Sequence, residues 1–233
     1  MGTLTAEEWQ VLLLSLKVSI VAIAAVLPLA FALAWVLARW RFPGKVLLDA
    51  LVHLPLVLPP VVTGWLLLIA FSPNATVGRF FAEYLGLTFL FRWTGAALAA
   101  AVMALPLMVR AMRLSLEAVD RRLESAARTL GAGRMRTFAS VTLPLSSSGI
   151  LAALVLGLAR SIGEFGATIT FASNIPGETQ TLPLAIYSAL QVPGSELQVV
   201  RLAVLSVLLS VGALVLSEWL ARRSGQGKVR HVL

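Results

Sequence analysis

Leu123-Glu124-Ser125-Ala126-Ala127-Arg128-Thr129-Leu130-Gly131-Ala132-Gly133, followed after a short run by Val141-Thr142-Leu143-Pro144, is the stretch on which the reading of this chain turns. Asp120 precedes it, a residue type suited to capping a helix N-terminus. Leu123, Ala126, Ala127 and Leu130 recur at the i, i+3, i+4, i+7 spacing of one helical face, flanked by Arg121, Arg122 and Arg128. Gly131 and Gly133 supply stop signals. A helix of about ten residues, roughly 15 Å long, is too short to be stable alone in water. Something must shelter its narrow apolar face, either lipid headgroups or a groove on another protein. The runs on both sides of it belong in a bilayer, so the second arrangement would pass force from a soluble partner to membrane helices.

The chain has 233 residues, 58% of them hydrophobic and 13% charged, with a mean hydropathy of +0.89. A soluble domain of this size cannot hide so much apolar surface, so the class is integral membrane. Cysteine is absent, and His53 and His231 are too few and too far apart to suggest a metal cluster. Uncharged runs at 18–37, 50–78, 93–109, 137–159 and 202–217 are long enough, with their flanks, to cross a bilayer. They predict one all-α polytopic domain over 1–233, with five transmembrane helices at about 11–38, 46–72, 93–111, 144–172 and 197–221 and a cytoplasmic loop at 120–144. A cleaved signal peptide is disfavoured for the first run: no cationic region precedes it and no small-residue cleavage site follows.

Basic residues set the orientation. Most of the 19 lysines and arginines fall in the first loop (Arg39, Arg41, Lys45), in the third loop (from Arg110 to Arg136) and in the tail (from Arg222 to Arg230). The opposite side offers Glu7 and Glu8. The N-terminus is therefore expected outside and the C-terminus in the cytoplasm. The sequence pI of about 11.2 reflects this bias, not a nucleic-acid groove, and no nucleic-acid partner is expected. Trp9 and Trp93 fall at outer ends and Trp40 and Trp219 at inner ends, as interfacial indoles do, while Trp35 and Trp65 are expected to pack.

The loop resembles the EAA loop of ABC importer permeases, whose pattern is E-A-A, three residues, G, nine residues, I-x-L-P. Ser125-Ala126-Ala127, Gly131 and Val141-Thr142-Leu143-Pro144 keep that spacing. Ser125 stands where the family often has Glu, with Glu124 one place earlier, and Val141 replaces Ile. The resemblance implies a coupling helix that docks in a cleft of a cytoplasmic ATPase subunit, with Leu123, Glu124, Ala126, Ala127, Arg128, Leu130 and Gly131 carrying the role. Further runs at 53–64, 159–168 and 173–187 are similar to the molybdate permeases of that family. That similarity implies a homodimer in a bacterial or archaeal cytoplasmic membrane. It also implies two ABC ATPase subunits holding ATP and Mg, an external molybdate-binding protein, and import of molybdate, or its near-isostere tungstate, by alternating access. No cofactor is expected on this chain. It carries no G-x-x-x-x-G-K-S/T loop, Gly44-Lys45 being followed by Val46, and no H-E-x-x-H run, so it is not expected to be the ATPase or an enzyme. A sulfate permease, a secondary transporter and a membrane anchor are the competing readings.

Inside the spans, Arg160 and Glu164 lie four apart, able to pair on one helical face. Intramembrane charge of this kind either orients helices or marks a path. With Thr63, Ser161 and Thr168 they are the candidates for a translocation path or gate. Pro55, Pro59, Pro60 and Gly64 mark a break in the second span, read as a kink or a pore-lining segment. Gly157, Gly163 and Gly166 suggest a close helix seam, within a dimer or at a hinge. The external segments 72–92 and 173–195 exceed what a turn needs and are expected to offer a surface to an external binding protein.

Overall fold

The computed structural model describes residues 4–225. Lys228, Arg230 and His231 of the basic tail lie outside them. The described residues form α-helices joined by short turns, with no strand among them. Helix α1 (Ala6–Arg39) begins in a capping box: Thr5 Oγ1 accepts from the Glu8 amide at 3.2 Å, and Glu8 Oε2 accepts from the Thr5 amide at 2.9 Å. The same Glu8, buried, accepts from Arg201 Nε at 2.9 Å, which fastens α1 to the last helix, α11 (Glu196–Gly225).

The second span is not one helix. Helices α2 (Lys45–Val57) and α3 (Pro60–Ala70) meet at 114°. Pro59 and Pro60 donate no amide hydrogen and push the residue before each out of helical geometry, so Leu58 and Pro59 are extended, with ψ of 143° and 132°. At about 1.5 Å per residue neither half reaches across a bilayer core of about 30 Å. Among the described residues four helical stretches are long and apolar enough to span, and the bent pair supplies a fifth candidate.

Helix α4 (Thr76–Leu85) contributes Phe81 to an aromatic cluster, where the Phe71 ring lies 5.0 Å from Phe89 and 5.6 Å from Phe81. Helix α5 (Trp93–Ala118) is the centre of the molecule. It packs between α1 and the long stretch Arg134–Ile162 through a core of small residues, among them Ala22, Ala30 and Ala34 of α1 and Ala96, Ala100 and Ala104 of α5. A Cβ on Gly157 would sit 2.7 Å from Met108 Sδ and 2.9 Å from Ile23 Cδ1. Gly157 thus marks a three-helix seam inside one chain, not a dimer contact, because only a missing side chain lets the backbones come this close.

The Arg134–Ile162 stretch comprises α7 (Arg134–Thr137), a π turn (Phe138–Thr142) and α8 (Leu143–Ile162). It starts earlier than residue 144 and stops at Ile162. Gly163 to Phe165 are not helical, and a short α9 (Gly166–Phe171) follows. Helix α10 (Leu182–Leu190) is largely buried: Leu182 and Ala185 pack with Val11 and Leu202. The outer segment 173–195 is therefore mostly structural, and its exposed apolar side chains narrow to Ile175, Tyr187, Leu190 and Val192. Trp35 packs as expected, edge-on to Phe138 at 5.2 Å. Trp65 does not, because α3 turns Thr63 and Gly64 inward and leaves Trp65 exposed.

Candidate functional site

Helix α6 (Arg121–Thr129) is the short cytoplasmic helix of the EAA-like loop. Asp120 caps it, accepting from the Arg122 amide at 2.8 Å. It ends in a Schellman turn: the Gly131 amide donates to Arg128 O and the Ala132 amide to Ala127 O, both at 3.0 Å, with Gly131 at φ +88°. None of its residues is buried. Leu123 is 50% exposed and Leu130, just past the last turn, 88%. Burying a leucine side chain is worth about 1.5–3 kcal/mol, and Leu123, Ala126 and Leu130 leave that apolar stripe exposed. Ala127 is half-buried beside it, and Arg128 is exposed.

Glu124 takes the opposite direction. Its Oε1 accepts from Arg39 Nη2 at 2.8 Å and from the Thr142 hydroxyl at 2.6 Å, and its Oε2 accepts from Arg39 Nη1 at 3.4 Å. The pair is largely enclosed, with side-chain exposures of 10% for Arg39 and 15% for Glu124. Glu124 therefore tethers α6 to the end of α1 and the foot of α8. Charge-assisted, forked bonds of this kind hold geometry well. Arg39 and Thr142 hold this tether, and sequence reasoning passed over both. Arg39 looked like one more loop cation 85 positions from Glu124, and Thr142 was a variable place in a motif.

The proposed path residues gather at the two helix breaks. Arg160 lies in the last turn of α8 and Glu164 beyond it, so their ion pair crosses the break instead of riding one continuous helix. Glu164 is 2% exposed, and its Oε1 also accepts from the Ala167 amide at 2.8 Å, satisfying a free donor in the first turn of α9. Helices α9 and α3 are in direct contact: a Cβ on Gly64 would lie 2.6 Å from Ala167 O, and one on Gly166 would lie 2.7 Å from Pro60 Cβ. The two short helices thus begin side by side. Thr63, Ser161 and Thr168 are buried, and the Thr63 and Ser161 hydroxyls lack partners among the described residues. His53 is half-buried on α2, its Nδ1 2.9 Å from Asp49 O.

The profile of the binding-protein-dependent transport system inner membrane component family matches residues 26–226. The chain is 57% identical over 221 residues to the molybdenum transport system permease protein ModB of Escherichia coli (strain K12), covering 95% of this chain and 96% of that protein. It is 56% identical over 220 residues to ModB of Haemophilus influenzae, covering 93% of this chain and 96% of that one. Among solved structures, a bacterial ABC transporter that imports the acidic polysaccharide alginate superposes with a TM-score of 0.69 at 18% identity, over 97% of this chain and 82% of that one, which establishes likeness of fold. A multi-pass helical bundle, a tethered loop helix with an open apolar stripe and a match over most of the sequence converge: the chain belongs to the binding-protein-dependent transport system inner membrane component family.

Proposed function

We propose that two copies of this chain form the translocation unit of an ATP-driven importer of molybdate, and of tungstate as its near-isostere. The unit lies in a bacterial or archaeal cytoplasmic membrane with the N-terminus of each copy outside. Two cytoplasmic ABC ATPase subunits bind ATP and Mg and receive the α6 stripes, and an external molybdate-binding protein delivers the anion. The observation that carries this reading is the exposed stripe of α6 on a helix that Glu124 holds to α1 and α8. Closure of the ATPase subunits moves α6, and the Glu124 tether passes that movement into α1 and α8 as nearly rigid bodies. At the far end of α8 the Arg160–Glu164 pair and the α3–α9 contact form the gate, with Thr63, Ser161 and Thr168 beside it. The molybdate assignment follows the names of the relatives, and the positive-inside pattern supports the orientation.

The test is uptake of labelled molybdate into vesicles holding the reconstituted complex, with the binding protein on the outer face and ATP at the ATPase face. Uptake is expected only with both present, with tungstate competing well and sulfate poorly. Uptake by this chain alone under a proton gradient would instead make it a secondary transporter, and preferential stimulation of ATP hydrolysis by sulfate would reassign the substrate.

A further inference from the structure

The end of α1 and helices α6 and α7 line an open recess of 380 Å³ beside the Glu124 tether. Its wall is cationic: Arg39, Arg121, Arg128 and Arg134 line it against the single carboxylate of Glu124. Among the described residues no carboxylate pairs with Arg121, Arg128 or Arg134. Trp35 and Trp40 also line the cavity, and Arg39 Cζ lies 5.6 Å from the centroid of the Trp35 ring. Arg39 is the most telling residue. Its side chain is nine-tenths buried and both Nη groups are spent on Glu124, yet its buried Nε has no partner. An unmet donor on an enclosed cation is costly, so Arg39 adds positive potential to the wall that Glu124 does not fully satisfy.

We propose that this cavity binds the phosphate of an anionic phospholipid headgroup. The proposal rests on the orientation given above, which puts the cavity on the cytoplasmic side. Lipid is favoured over a free anion by position: α1 ends here, at the level where indoles such as the exposed Trp40 settle, and a headgroup is held at that depth by its own acyl chains. Basic recesses between membrane helices on the cytoplasmic side are suited to phosphate headgroups. Free phosphate and molybdate share the tetrahedral charge but have nothing to anchor them at this depth.

The complex of this chain with its ATPase subunits, purified in detergent, is offered phosphatidylglycerol or phosphatidylcholine. Retained lipid is counted by native mass spectrometry and the unfolding temperature is followed. Phosphatidylglycerol should be retained selectively and raise the unfolding temperature. Arg121→Gln and Arg134→Gln, both on exposed side chains, should each weaken retention about five-fold, as loss of one cation near an anionic surface does. The Lys substitutions at the same positions should preserve most of it. Equal retention by wild type and the Arg121→Gln/Arg134→Gln double variant overturns the proposal. So does equal stabilisation by inorganic phosphate or molybdate, which would make the cavity a soluble-anion site. Retention by the purified chain alone but not by its complex with the ATPase subunits overturns it too, since those subunits would then cover the recess. ATP-driven uptake measured after the same preparations are reconstituted into vesicles separates this outcome from failure of the importer reading.

Discussion

At the scale of single residues, Glu124 shows where sequence reading stops. Its neighbours made it look like part of a docking face, and only the fold reveals that its carboxylate faces Arg39 and Thr142. Nothing in the local pattern encodes a partner 85 positions away. Glu124→Ala strands an enclosed guanidinium and should cost about 3–5 kcal/mol, read as a fall in the unfolding temperature of the complex. Glu124→Gln keeps an acceptor for Thr142 and should fall between that variant and wild type. Arg160→Ala likewise leaves the Glu164 carboxylate buried beside the break with only the Ala167 amide. It should depress uptake more than membrane insertion, whereas normal uptake by a well-expressed variant would exclude a path role. The i, i+4 spacing revealed that these two charges could pair, but not that Gly163 ends the helix between them.

At the scale of elements, α6 was the most legible part of the chain. Asp120, the Leu123–Leu130 stripe and Gly131 are local signals, and a short helix is governed by local chemistry. Because Leu130 is 88% exposed, Leu130→Asp should leave α6 folded and the fold stable. It should weaken association with the ATPase by about 1.5–3 kcal/mol, measured by titrating the ATPase onto the purified permease. The helix breaks were half legible. The prolines at 59 and 60 announce an interruption, but a turn of 114° is set by what α3 packs against, namely α9, and that contact is invisible to hydropathy. The same limit explains α10: the length of 173–195 suggested an outer surface, but not that part of the segment packs against Val11 and Leu202.

At the scale of the whole molecule, hydropathy reveals how much of the chain belongs in lipid, and not which side of each helix does. Only 6% of the most apolar window of α11 is buried, against 67% for α5, although both are strongly apolar. Small residues make the difference: the alanines of α5 let α1 and α8 approach, and side-chain size along a helix is a weaker signal than polarity. Gly157→Leu places several carbons where Met108 and Ile23 already stand and should destabilise by about 1–3 kcal/mol. Lower yield and a lower unfolding temperature would register it, with ATPase binding by the surviving protein unchanged. The exposed apolar flank of α11 meets either acyl chains or a second copy. Cysteines introduced along it, in a chain that has none, should cross-link only if it is the dimer face.

The π turn at Phe138–Thr142 fixes a rotational phase. An α-helix advances about 100° per residue, and a π turn accommodates one residue beyond the regular ladder. Because the widened turn absorbs that residue, the helix before it and α8 after it keep nearly the phase of one regular helix. Adding one further residue, which the turn has no room to absorb, would clock everything before it by about that angle around the axis of α8. Arg134 and the approach to α6 would then face a different azimuth. Such an insertion should leave ATP hydrolysis running while uptake stalls, an outcome that side-chain replacement at the same positions should not reproduce.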